Sequence, residues 1–132
     1  MKPTLAPGLA ATRRFEVDKD RTIGFMGEEG RVYATPSMVR DIEMTCRDFL
    51  LTQLDAGEDS VGTRVEFDHM AATPLGMAVE FTATVAEVKG RAVTFEVTGK
   101  DAVDQICRGK HMRFVVDVAK TLERLKAKAA KA

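Results

Sequence analysis

The sequence predicts an α+β fold in which a curved antiparallel sheet wraps around one long central helix. Three observations carry this. The run TPSMVRDIEMTCRDFLLTQL, from Thr35 to Leu54, reads as a single helix with a broad apolar face. The chain that follows alternates apolar and polar residues over several long segments, which is the period of strands. Those strands are too many to be hidden as a small flat sheet on one side of one helix, so a sheet curving round the helix is the compact solution.

Residues 1–12 contain Pro3, Pro7 and Gly8 and are expected to wrap the surface. The segment ATRRFEVDKD alternates weakly and reads as a first strand. RTIGFMGEEGR, with Gly24, Gly27 and Gly30, reads as a loop or short helical turn, and VYAT leads into the helix. Thr35 suits the cap of that helix and Pro36 its first turn, while Asp55-Ala56-Gly57 supplies the stop. Val61 to His69 is a strand. Val79, Phe81, Ala83 and Val85 line one face of the next. Lys89-Gly90 marks a tight hairpin, and Val93, Phe95 and Val97 line the strand after it. Residues 104–116 form a last strand, and 117–132 form a helical tail with a weak stripe of Val118, Leu122 and Leu125. The whole, residues 1–132, reads as one domain in the hotdog arrangement, without internal repeat or linker.

Three polar residues stand out. Glu43 falls in the helical stripe with Val39, Cys46, Leu50 and Leu54, where a carboxylate is costly to bury unless it has a partner or a task. Thr35 lies eight residues before it and His69 twenty-six after it. His69 ends its strand and, by alternation, shares a face with Val61, Thr63, Val65 and Phe67. A hydroxyl, a carboxylate and an imidazole at apolar edges are the ingredients of acyl-transfer or hydrolytic chemistry.

The segments ATPSMVRDIE, SVGTR and DHMAATPLG together resemble the hotdog thioesterases similar to fluoroacetyl-CoA thioesterase, over about residues 5–116. The resemblance implies a homodimer that hydrolyses small acyl-CoA thioesters, with Thr35, Glu43 and His69 as catalytic residues. It also implies that Gly62 and Arg113 line the acyl pocket. No cofactor is implied, since coenzyme A is part of the substrate. The loop before the helix departs from the fluoroacetyl-specific pattern, which closes the pocket with bulky aromatics. IGFMGEEGRVY carries only Phe25 and Tyr33, so another small acyl group is expected.

Each residue also has a plainer reading. Thr35 can be only a cap, Glu43 can pair with Arg40 or Arg47, and His69 and Arg113 can be structural. His111 reads as a surface or core-edge residue. Asp41, Asp48 and Asp68 read as solvated. A rival enzyme on the same fold is a hydratase or dehydratase, but its Asp–His pair is not evident. The non-catalytic rival is an acyl-CoA binding protein.

Composition narrows the classes further. Twenty basic residues balance twenty acidic ones, which disfavours a nucleic-acid binder working by phosphate neutralisation. Lys89, Arg91, Lys100 and Lys110 remain as candidates for the CoA phosphates. Cys46 and Cys107 fit neither a zinc motif nor a disulfide framework and read as reduced core thiols. No metal-ligand spacing, signal peptide or membrane span is found, so the expectation is a cytoplasmic, metal-free protein.

Overall fold

The structure is a computed structural model that describes all residues 1–132. Five strands form one antiparallel sheet in which the first strand lies at one edge and the strand that follows the long helix lies at the other. They are β1 (Ala10–Glu16), β4 (Glu58–His69), β5 (Ala78–Lys89), β6 (Ala92–Lys100) and β7 (Gln105–Asp117). The helix α1 (Thr35–Leu51) packs on the sheet, and α2 (Val118–Ala129) follows β7.

The strand periodicity holds closely. Val79, Phe81, Ala83 and Val85 on β5 and Val93, Phe95 and Val97 on β6 are all buried. They meet Met38, Ile42, Cys46 and Leu50, the buried face of α1. The hairpin turns on two residues, with Gly90 at φ 60°, a left-handed value that glycine adopts without steric cost. Gly99 is required by packing, since a Cβ there would lie 2.6 Å from the Phe81 ring.

Several expectations are corrected. The segment 21–31 is not all loop: β2 (Thr22–Ile23) pairs with β3 (Val32–Tyr33), and single 3-10 turns precede and separate them. The helix starts one position off the capping pattern. Ala34 is the cap, with Thr35 and Pro36 already inside the helix. The reason is tertiary: the Tyr33 and Ala34 N–H groups donate to Thr73 O and Arg21 O, which holds the chain extended through Ala34. The helix ends at Leu51 and its last carbonyls are met by turns, before Gly57 (φ 84°) reverses the chain. Val118, Leu122 and Leu125 on α2 lie at the surface, 37%, 52% and 55% exposed, so that stripe builds no core.

One irregularity decides the site. The pairing of β4 with β7 shifts between Gly62 and Arg64, leaving Thr63 as an extra residue in a β-bulge. Gly62 pairs with Arg113, Val65 with His111, Phe67 with Gly109 and His69 with Cys107. The bulge reverses the parity of the strand. Gly62 and Ser60 therefore face α1 together with Val65, Phe67 and His69, while Val61, opposite the exposed Phe114, faces outward. Strict alternation had put Val61 and Thr63 on the face of His69, and the bulge overturns that.

Candidate active site

The helix α1 runs antiparallel to β4, one of the two edge strands of the sheet, and the two meet along a seam. Three contacts mark its length: Thr35 against His69, Glu43 against Gly62, and Arg47 against Asp59.

At the first end, Thr35 Oγ1 lies 2.8 Å from His69 Nδ1. Thr35 makes no capping bond, so its hydroxyl is free for this one. The N–H groups of the first turn likewise have no side-chain cap and can receive developing negative charge on an oxygen. His69 Nε2 is buried and has no hydrogen-bond partner. A buried ring nitrogen left unpaired is unfavourable, and a bound substrate or water would satisfy it. Burial pushes the His69 pKa below the usual imidazole value, which favours the neutral base. Tyr33 packs edge-on against the ring, with centroids 6.2 Å apart. Beside the pair opens an apolar cavity of about 630 Å3 lined by Ile23, Phe25, Val32, Pro36, Met70 and Ala71, among others. Phe25 and Met26 stand 88% and 71% exposed, so the loop before the helix is open.

The second end is polar and more buried. Arg113, 5% exposed, donates from Nε to Ser60 Oγ at 2.7 Å and from Nη2 to the Ser60 carbonyl at 2.9 Å. Its Nη1 lies 3.1 Å from His111 Nε2 and 3.5 Å from Glu43 Oε2. Burial pushes the Arg113 pKa down from its ordinary value, and Glu43 opposes this. Glu43 does not sit in the buried stripe as expected. It flanks the stripe, 42% exposed, with a carboxylate that reaches toward Gly62. A Cβ at position 62 would lie only 2.7 Å from Glu43 Oε2, so the glycine makes room for the carboxylate.

The two ends are separate. Eight residues of helix place Thr35 and Glu43 about 12 Å apart along the axis at about 1.5 Å per residue. The alternative ion pairs of Glu43 do not form: Arg47 is engaged by Asp59 at 2.6 Å and Arg40 is exposed.

Two groups of polar residues escaped the sequence reading. His111, expected at the surface or the core edge, is fully buried. Its alternation with Arg113 on β7 was the available signal. Asp41, expected to be solvated, is 4% exposed and accepts hydrogen bonds from Tyr33 Oη at 2.5 Å and Arg21 Nε at 2.9 Å. This ties β3 and the segment before it to α1, just ahead of Thr35. Asp48 and Asp68 are in contact with solvent as expected, each near an arginine. Cys46 and Cys107 are free and buried, and burial pushes their thiols up to about 12 and about 11. Neither is poised as a nucleophile.

Comparison with known proteins identifies the family and the fold. The profile of the fluoroacetyl-CoA-specific thioesterase family matches residues 17–119. The fluoroacetyl-CoA thioesterase of Streptantibioticus cattleyicolor is 34% identical over 127 residues, covering 91% of each chain. A solved structure of a fluoroacetyl-CoA thioesterase superposes with a TM-score of 0.86 at 32% identity, over 94% of this chain and 97% of the other. A thioesterase superfamily member from Thermus thermophilus also gives 0.86, at 28% identity, over 98% and 99% of the two chains. The resemblance read from the sequence and the α+β hotdog fold are both borne out. The chain belongs to the fluoroacetyl-CoA-specific thioesterase family, a group of hotdog-fold thioester hydrolases.

Proposed function

We propose that the protein hydrolyses the thioester of a small, uncharged acyl-CoA at the seam between α1 and β4. The observation that carries this reading is that Thr35 meets His69 and Glu43 meets Gly62 along the same α1–β4 seam. The thioester carbonyl lies near the start of α1, where the first-turn N–H groups and the Thr35 hydroxyl stabilise the oxyanion of the tetrahedral intermediate. Glu43 supplies the reactive carboxylate. The helix start of its own chain is about 12 Å away, so in this reading it acts on a carbonyl held at the helix start of the second copy in a dimer, where it either takes a proton from the attacking water or attacks the carbonyl itself to form an anhydride that water then opens. His69, neutral and with Nε2 unpaired, donates to or accepts from the reacting centre once substrate fills the site. Coenzyme A leaves as the thiol after proton transfer. Gly62 lines the acyl end of the seam. Arg113 acts on Glu43 rather than on a substrate carboxylate, because its guanidinium is buried and occupied by Ser60, His111 and Glu43. That is why an uncharged acyl group is preferred here.

A solved relative, 33% identical and superposing at a TM-score of 0.82, holds fluoroacetate and CoA, which supports an acyl-CoA ligand for this chain too. We also propose a homodimer. β4 is a twelve-residue edge strand with Val61 and Val65 exposed, and an unpaired edge of that length is an aggregation hazard unless a second copy covers it. Because the seam follows this edge, a partner would close it and bridge the gap between Thr35 and Glu43. Two free buried cysteines support a cytoplasmic location.

Glu43→Gln is the test. The amide keeps the shape but is neither base nor nucleophile, so kcat for the preferred acyl-CoA is expected to fall by about a hundredfold or more with the fold intact. Near wild-type turnover in this variant would exclude the mechanism and favour a purely binding role for the seam residues.

A further inference from the structure

His111 is the second histidine of the chain, and its two ring nitrogens have partners of opposite kind. Nδ1 lies 2.7 Å from the Arg64 carbonyl oxygen, which can only accept, so Nδ1 carries the proton. Nε2 lies 3.1 Å from Arg113 Nη1, which can only donate, so Nε2 presents its lone pair. The partners thus select one tautomer and one charge state. The bulge at Thr63 contributes, since it places Val65 opposite His111 and aims the Arg64 carbonyl at the ring.

We infer that His111 is a positioning residue that aims the Arg113 guanidinium at Glu43, and that it does so only as the neutral imidazole protonated on Nδ1. This rests on the proposed role of Glu43. Ser60 holds Arg113 through Nε and Nη2, which leaves Nη1 to be shared between His111 and Glu43. When His111 gains a proton, the acceptor for Nη1 is lost. A second positive charge then stands beside the guanidinium in a site nearly closed to water. Arg113 must move, and the carboxylate it steers moves with it. The groups facing the ring are few. β7 offers Arg113, α1 offers Glu43 and the Cys46 thiol further along, β4 offers only the Arg64 carbonyl and the Phe67 ring, and β6 places Phe95 opposite. Burial, aided by Arg113, lowers the His111 pKa, which keeps the ring neutral at neutral pH.

The experiment combines 15N NMR of the histidine rings with kcat–pH profiles for the wild type, His111→Gln and Glu43→Gln. Two histidines give two sets of ring signals, and the set missing from His111→Gln identifies the residue. The wild type is expected to show His111 neutral with the proton on Nδ1 wherever the enzyme is fully active. Its kcat is expected to fall in acid more steeply, by one proton, than that of His111→Gln. The variant should also lose about tenfold in plateau kcat with KM within about twofold, a misplacement effect on the reacting group. Glu43 and His69 are present in both proteins, so the difference between the profiles belongs to His111. A doubly protonated ring, or the proton on Nε2, at full activity would overturn the inference. So would identical plateaus and acid limbs. Should the variant fail to fold, the wild-type tautomer still decides. Should Glu43→Gln be fully active, the reading of Glu43 fails on its own, while the NMR result still shows whether His111 and Arg113 are linked.

Discussion

Replacing Gly62 with alanine puts a methyl group where the end of Glu43 now lies. The new Cβ would be 2.7 Å from Glu43 Oε2, 3.2 Å from His111 Cε1 and 3.5 Å from Arg113 Nη1, where ordinary contacts begin at 3.4 Å. The carboxylate must therefore withdraw by about 0.7 Å, the gap between the 2.7 Å and 3.4 Å distances. Its link to Arg113 starts at 3.5 Å, so any withdrawal away from the guanidinium breaks it. A displacement near 1 Å of a reacting group costs up to about a hundredfold in rate, so kcat should drop ten- to a hundredfold, or about 1.4–2.7 kcal/mol in barrier. Stability should change little. The closest atom is the far end of a flexible side chain, the His111 ring at 3.2 Å needs to give by only about 0.2 Å, Gly62 has no left-handed φ, and alanine in a strand recovers about 0.5–1 kcal/mol of chain entropy relative to glycine. The assay is thiol release from a panel of short acyl-CoA substrates, with a melting curve for each protein. Gly62→Ala turning over its best substrate within about threefold of wild type would refute the argument that this glycine exists to seat Glu43.

Light scattering at micromolar concentration should give about twice the 14.5 kDa mass of the chain, and a Val65→Lys change on the β4 edge should weaken association; a stable monomer in the wild type would exclude the edge-to-edge dimer. Fluoroacetyl-CoA should be favoured over acetyl-CoA by less than about a hundredfold in kcat/KM, because Phe25 and Met26 point outward and leave the loop open, and discrimination of so small a difference needs a tight, dry pocket. A preference of about a thousandfold or more would mean that the loop closes over the site when substrate binds. Both histidines have folded-state pKa values below the unfolded imidazole value of about 6.5. Above that pH both states carry neutral rings; below it the unfolded chain takes up protons first, so stability is lost as pH falls from about 6.5 toward the folded values. Melting temperatures measured from pH 7.5 to 5 should therefore fall, and fall less in His111→Gln; a rise on acidification would contradict the buried, neutral rings.

Local pattern was enough for the frame of this protein. The apolar positions Val39, Cys46, Leu50 and Leu54 with Pro36 at the start were enough to recognise the helix, although its buried face proved to run through Met38 and Ile42, and two-residue alternation from Val79 to Val97 specifies strands whose inward faces need no partner to be recognised. Thr35, Glu43 and His69 were legible too, as polar residues at apolar edges in spacing that resembles one family. What alternation could not show is parity after a bulge. Thr63 is an extra residue only because β7 pairs with β4 on both sides of it, and that pairing turns Gly62 and His69 to the same face despite their odd separation. Partners of buried polar groups were hidden for a related reason. His111 is buried because Arg113 and the Arg64 carbonyl satisfy it, and Asp41 because Tyr33 and Arg21 do; the Arg64 carbonyl, Tyr33 and Arg21 come from other strands and segments, and Arg113, on the same strand as His111, is held beside the ring by Ser60 of β4. Thr35 gave up the cap because distant backbone contacts hold Tyr33 and Ala34 extended, leaving its hydroxyl to His69. Periodicity reports which side of an element is apolar; only the packed chain decides which polar groups meet there and in what charge state.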